Sequence, residues 1–165
     1  MKIYQFRAGT PKDDRVMGLS YPAAFMVPVA MILIVFEFVF PHKNITGMAS
    51  SNIYLELIIL VPAFVIGAPV AIWIKKKCGH DFKVQLENKQ ISVWMDGEFQ
   101  YKDNLEDISI QENSKQLKLT IYGSKEKTTF IGRDIGNIFG FCRERDLSIL
   151  KELTQDLQGL VNRTE

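Results

Sequence analysis

Two long apolar runs constrain this chain more than anything else in it. Pro22–Phe40 carries one charge in 19 residues, and Ile53–Ile74 carries one in 22. At a rise of about 1.5 Å per residue, the first reaches roughly 28 Å, close to the hydrocarbon thickness of a bilayer. The second is long enough to span with some tilt. Two such runs side by side leave too little amphipathic chain to bury them in a water-soluble core, so lipid is their expected solvent. Basic residues precede the first run, as they do in a cleaved signal peptide, but Phe38-Val39-Phe40-Pro41 offers no small-x-small cleavage site. The run therefore reads as retained.

The expected organisation is a cytoplasmic N-terminal segment at 1–21, transmembrane spans at 22–40 and 53–74, and an extracytoplasmic loop at 41–52. A basic linker at 75–79 and a cytoplasmic β-rich domain at 80–165 follow. Lys2, Arg7, Lys12 and Arg15 precede the first span and Lys75, Lys76 and Lys77 follow the second, whereas the loop holds only Lys43. The positive-inside rule then places both termini in the cytoplasm, as in a multi-pass protein of the inner membrane. The lysine triplet also suits anionic head groups.

Inside the spans, Ala63, Gly67 and Ala71 recur at every fourth position, giving a smooth face that another helix can approach closely. Glu37 and Glu56 lie at the outer ends of their spans. Two readings are open for them: an acidic ring in a homo-oligomer that favours cations, or side chains that snorkel to the interface.

After the lysines the apolar period changes to two. Phe82, Val84 and Leu86 alternate with polar neighbours, as do Ile91, Val93 and Met95. Asp96-Gly97 is a two-residue hairpin signal, since both turn positions need positive φ. Phe99 and Tyr101, then Leu105, Ile108 and Ile110, then Leu117, Leu119 and Ile121, and finally Lys127–Ile131 complete six short antiparallel strands. Arg145 to Gln158 reads as an amphipathic helix with Leu147, Leu150, Leu153 and Leu157 on its buried stripe, Asp146 as N-cap and Gly159 as stop. Such a helix covers the apolar face of a curved sheet. The expected class is α+β: a transmembrane hairpin followed by an antiparallel sheet closed by a C-terminal helix.

A meander of this kind with one closing helix resembles the pleckstrin-homology-like (PH-like) superfold. Two spans followed by such a sheet resemble the small bacterial membrane proteins with a PH-like domain, whose mid-domain pattern is similar to Asn104–Ile108 and Leu117–Ile121. A seventh strand, usual in that fold, is not visible here. Length, domain order and the two-span anchor are also similar to small membrane effectors of prokaryotic antiviral systems. These include CRISPR ancillary proteins that sense cyclic oligoadenylate and two-span effectors that sense cyclic dinucleotides. That resemblance implies a cyclic oligonucleotide ligand and a site at a subunit interface.

The residues themselves suggest no enzyme, cofactor or metal centre. There is no Walker-type loop and no HExxH, and Cys78-x-His80 supplies two donors where a closed zinc site needs four. Gly132, Gly136 and Gly140 lack the dinucleotide fingerprint. They mark either a loose connection or a place where a ligand approaches the backbone beside Arg133, Asn137 and Phe139.

From Lys75 onward, fifteen basic and fifteen acidic residues cancel, which argues against a grip on long nucleic acid. The charges are nonetheless sorted. Six acidic residues and one lysine lie between Asp96 and Glu112, and five basic residues and one acidic between Lys115 and Arg133. Neighbouring strands of opposite charge can solvate each other. Alternatively, Lys115, Lys118, Lys125, Lys127 and Arg133 form a basic pocket for a compact phosphorylated anion. The leading expectation is a non-catalytic membrane sensor and effector. A PH-like scaffold for a protein partner and an immunity protein against a membrane toxin are the alternatives.

Overall fold

The computed structural model describes residues 1–39, 53–87, 89–113, 116–134, 140 and 142–162, with the side chains of 53–56 left aside. The loop expected at 41–52, the Glu56 side chain, and Lys115, Asn137 and Phe139 lie outside the described residues. The chain divides into two units: Met1–Arg15 with Lys75–Glu165, and Val16–Ile74.

In the first unit, six strands form one antiparallel sheet in simple chain order. They are β1 (Lys2–Ala8), β2 (His80–Glu87), β3 (Gln90–Met95), β4 (Glu98–Asn113), β5 (Gln116–Gly123) and β6 (Lys127–Arg133). β1 corrects the sequence reading, which treats 1–21 only as a segment preceding the first span. Tyr4, Phe6 and Ala8 are buried while Lys2, Ile3 and Gln5 are exposed, so this stretch has the period of a half-buried strand. It pairs with β2 from Lys2↔Leu86 to Ala8↔His80. The basic residues that signal orientation conceal this alternation.

A second correction concerns the middle of the sheet. The expected strands at Phe99–Tyr101 and Leu105–Ile110 are one long strand, β4, whose register shifts between Leu105 and Asp107. A bulge bends a strand without ending it, so one strand can serve both neighbours around a curved sheet. The tail thus supplies five strands and the N-terminal segment the sixth. At the β3–β4 turn, Asp96 (φ 53°) and Gly97 (φ 86°) both have positive φ.

The sheet curls until its two edge strands meet. Gly9 and Ile131 exchange backbone hydrogen bonds of 2.9 and 2.8 Å. Phe130 packs edge-on against Phe6 at 5.4 Å and Phe82 at 4.9 Å between ring centroids, joining β6 to β1 and β2 from inside. The C-terminal helix α3 (Glu144–Val161) lays Leu150, Leu153 and Leu157 on this core. A Cβ on Gly132 would stand 2.9 Å from Leu147 Cδ1 and Leu150 Cδ2, so a side chain there would force those leucine ends to shift. The cap of α3 is Arg143 rather than Asp146. Asp146 sits at N3 and accepts the Arg143 amide at 3.0 Å, which is the reciprocal half of a capping box. Gly159 lies inside the helix, because glycine favours a stop only where the backbone turns left-handed.

The second unit is made from most of α1 (Pro11–Val39) and α2 (Ile53–Lys77), both long and apolar enough to cross a membrane. α1 begins earlier than the apolar run because Thr10 and Asp13 form a capping box around Pro11 at N1. Asp13 Oδ2 accepts from the Thr10 amide at 2.8 Å, and the Asp13 amide donates to Thr10 Oγ1 at 3.3 Å. Lys75–Lys77, expected as linker, form the last turn of α2. Ala63, Gly67 and Ala71 are buried, and a Cβ on Gly67 would meet the Ala24 carbonyl at 2.7 Å. Phe25 and Phe64 pack beside this contact, 5.6 Å apart. Glu37 is exposed near the end of α1.

Candidate functional site

The alternation along β5 sends Leu117, Leu119 and Ile121 into the core, and Lys118, Thr120 and Tyr122 to the opposite face. Register brings Ser109 and Gln111 of β4 beside Thr120 and Lys118 on one side, and Thr129 and Lys127 of β6 beside Thr120 and Tyr122 on the other. These residues and Pro11 line a hollow of about 290 Å³. Among the described residues its lining holds two ammonium groups, hydroxyls and an amide, but no carboxylate. Lys127 Nζ lies 4.8 Å from the Tyr122 ring centroid, a cation–π contact that pre-positions it. Thr120 and Thr129 share a hydroxyl hydrogen bond of 3.1 Å. Two ammonium groups beside hydroxyl donors suit a compact phosphate or sulfate group.

The structure sorts the residues expected to bind ligand. Lys118 and Lys127 come together in this hollow. Lys125 is exposed in the β5–β6 turn, where its amide donates to Asp103 Oδ2 at 2.7 Å. The Lys125 amide, the Glu126 amide and nearby charge hold the Asp103 carboxyl below its ordinary range. Arg133 is committed elsewhere: it pairs with Asp14 Oδ1 at 2.6 Å and reaches Gln116 Oε1 at 3.3 Å. Glu112 at the end of the acidic strand pairs with Lys151 of α3 at 2.6 Å.

A second cluster occupies the neck, where the chain leaves the sheet for α1 and returns from α2. His80 Nδ1 lies 2.5 Å from Asp96 Oδ2, and its Nε2 lies 3.5 Å from Asp13 Oδ2. Asp96 also accepts the Asp81 amide at 2.9 Å. Burial pushes the Asp96 carboxyl up, but the His80 hydrogen bond, the Asp81 amide and the charges of His80 and Arg7 pull it below its usual value. Arg7 reaches the Gly79 carbonyl at 3.1 Å, and Cys142 Sγ donates to the Arg7 carbonyl at 2.8 Å. His80 thus has a carboxylate facing each of its ring nitrogens. Among the described residues, no group of three or more His, Cys, Asp or Glu is arranged to hold a metal. Cys78 and Cys142 are free and buried. Burial pushes the Cys142 thiol up to about 12, against weaker opposing and reinforcing contributions from its neighbours.

Sequence reasoning passed over Tyr101, which it reads only as a strand position. Its hydroxyl is buried without a completed hydrogen bond. Burial raises its pKa, and the nearby Thr128 side chain only partly offsets that. No linear pattern marks it, because its surroundings come from β2, β3 and β6. No protein-family model, curated protein or solved structure matches the chain.

Proposed function

We infer that this protein is a membrane-anchored, non-catalytic receptor. Its two-span hairpin sits in the inner membrane, and its sheet domain lies on the cytoplasmic face. The hollow at Lys118 and Lys127 takes a compact phosphorylated anion of the cyclic-nucleotide class. Binding is relayed to the spans, which act as a homo-oligomer to perturb or permeabilise the bilayer, in the manner of an antiviral effector.

One observation carries this reading: the apolar hairpin is inserted between two paired strands. β1 runs into α1 and α2 runs into β2, and the strands pair up to Ala8↔His80. Residues before and after the hairpin therefore belong to one folded unit, which supports placing them on the same side of the bilayer. The cluster Lys75–Lys77 supports the cytoplasmic side. The hollow borders β6, and β6 touches the entrance to α1 twice, through Gly9–Ile131 and Arg133–Asp14. An anion that shifts β6 thus acts on the first turn of α1. It does so only to the extent that it binds one state better than the other.

The test is calorimetric and thermal titration of the full chain in lipid nanodiscs with cyclic dinucleotides, cyclic oligoadenylates and pyrophosphate. A site filled at 100 times its Kd adds about 2.7 kcal/mol of stability. Lys118→Ala and Lys127→Ala are expected to remove that gain, and a flat response to every probe overturns the reading. Arg133→Ala is expected to loosen the relay rather than the binding.

A PH-like scaffold that recruits a protein partner is the second reading. It draws on an exposed aromatic patch, in which Phe99 is 56% exposed and packs edge-on against Trp94 at 5.4 Å. Phe99→Ala separates the two readings, since it should weaken partner capture and leave anion binding unchanged.

A further inference from the structure

Beside the cationic hollow lies a larger one of about 380 Å³, and the two share Pro11, Lys127 and Thr129 as a common rim. Their chemistry differs. The larger hollow is lined by Phe82, Val93 and Met95 together with Tyr101, Thr128 and Glu126. The Tyr101 hydroxyl is out of contact with water, and although the Thr128 side chain stands close enough to act on it, no hydrogen bond of full geometry is completed. A buried donor in that state is costly, and native folds rarely leave one without a reason. Burial keeps the phenol protonated, so it stands as a donor.

We propose that the larger hollow is the base subsite of a nucleotide whose phosphate sits on Lys118 and Lys127. The proposal rests on the anion-binding reading above and deepens it. A ligand that fills both hollows needs an anionic group joined to a flat, largely apolar body, and a hydrogen-bond acceptor for the Tyr101 hydroxyl. A nucleobase on a sugar phosphate has all three. Its ring packs against Phe82 and Met95, a ring nitrogen accepts from Tyr101, and an exocyclic amine donates to the Glu126 carboxylate. Mixed apolar lining with a few convergent polar groups is the usual make-up of a small-molecule site.

The experiment is calorimetry on the full chain in nanodiscs with adenosine monophosphate, ribose 5-phosphate and adenosine. Adenosine monophosphate should bind at least tenfold tighter than ribose 5-phosphate, which is about 1.4 kcal/mol of added affinity from the base. Tyr101→Phe should weaken adenosine monophosphate by about three- to tenfold and leave ribose 5-phosphate unchanged, as expected for one lost hydrogen bond. Lys118→Ala should weaken both phosphates. The conservative Tyr101→Phe variant is checked by its melting temperature, which should equal or exceed that of the parent.

Equal affinity for the two phosphates, or an unaffected Tyr101→Phe variant, overturns the base subsite and leaves the anion site standing. Binding of adenosine that Tyr101→Phe weakens, with no response to either phosphate, supports the base subsite and overturns the anion reading. Silence from all three probes overturns both.

Discussion

The sheet unit and the helical hairpin use the same apolar residue types in opposite ways. In the sheet, Phe130, Leu119 and Val84 are completely buried. On the helices, Phe38 is 87% exposed, and Met26, Met31 and Val65 also face outward. The small residues Ala24, Ala63, Gly67 and Ala71 are buried in the hairpin, together with Met17, Ile59 and Ile74. Water drives large apolar groups inward because removing their area from it is favourable. Lipid is as apolar as leucine, so close packing of small residues holds helices together there. The contrast is what the proposed placement of the hairpin in lipid would produce.

Substitutions by phenylalanine position break or sharpen this comparison most strongly. Phe130→Ala empties the aromatic centre that joins β1, β2 and β6, and should cost about 3–5 kcal/mol. Phe38→Ala on the outer surface of α1 should stay within about 0.5 kcal/mol. Denaturant melts of both variants in one detergent test the contrast, and equal costs would remove the basis for assigning two solvents.

Gly67 gives the next largest effect. A valine there drives its Cβ into the Ala24 carbonyl and the Phe25 ring, and overpacking of that kind typically costs about 1–3 kcal/mol. Gly18→Ala, with nothing within 4 Å of the added Cβ, should instead stabilise by up to about 1 kcal/mol through helix propensity. Thermal unfolding of the pair reads out the difference.

In the sheet, Tyr101→Phe removes a buried hydroxyl that completes no hydrogen bond. A ligand-free gain of about 1 kcal/mol is expected, since an unsatisfied buried donor carries a desolvation penalty of that order. A loss in the melting temperature would mean that the hydroxyl has a partner.

The smallest effects are in pH, and they belong to the sheet unit. The Asp96 carboxyl is lowered in the fold by its His80 and Asp81 partners. Its stabilisation is therefore complete above the unfolded value and disappears as pH falls through the folded one. Asp96→Asn should flatten the acid limb of a stability profile. Cys142 acts in the opposite direction. Burial pushes its thiol from 9.0 up to about 12, so its stabilisation is complete below 9.0 and drains away as pH climbs towards 12. Burial raises Tyr4 and Cys78 in the same sense. Cys142→Ala should remove part of the alkaline limb and leave the acid limb untouched.

Much of the sheet was legible because β2, β3 and β5 alternate cleanly and Asp96-Gly97 fixes the hairpin between β3 and β4. β1 was hidden by its own basic residues, which carry an orientation signal as well as a strand. β4 was split in two because a bulge at Leu105–Asp107 shifts the alternation, and a linear reading takes a broken period for a turn. The basic cluster between Lys115 and Arg133 was visible as composition. Which cations share a face was not, because that depends on the register of β4, β5 and β6. The register gathers Lys118 and Lys127, while Arg133 is drawn to Asp14, 119 positions away along the chain.

The amino-acid order alone determined that two stretches are long and apolar enough to cross a membrane, that much of the remainder alternates as strands, and that a leucine-striped helix closes it. These are local consequences of period and transfer free energy, and they need no knowledge of distant neighbours. Tertiary structure alone decided that the hairpin is inserted between paired strands, that His80 lies between Asp13 and Asp96, and that Tyr101 lines a cavity beside two lysines. Each of these arrangements depends on contacts between residues far apart in sequence, which only the closure of the sheet brings together.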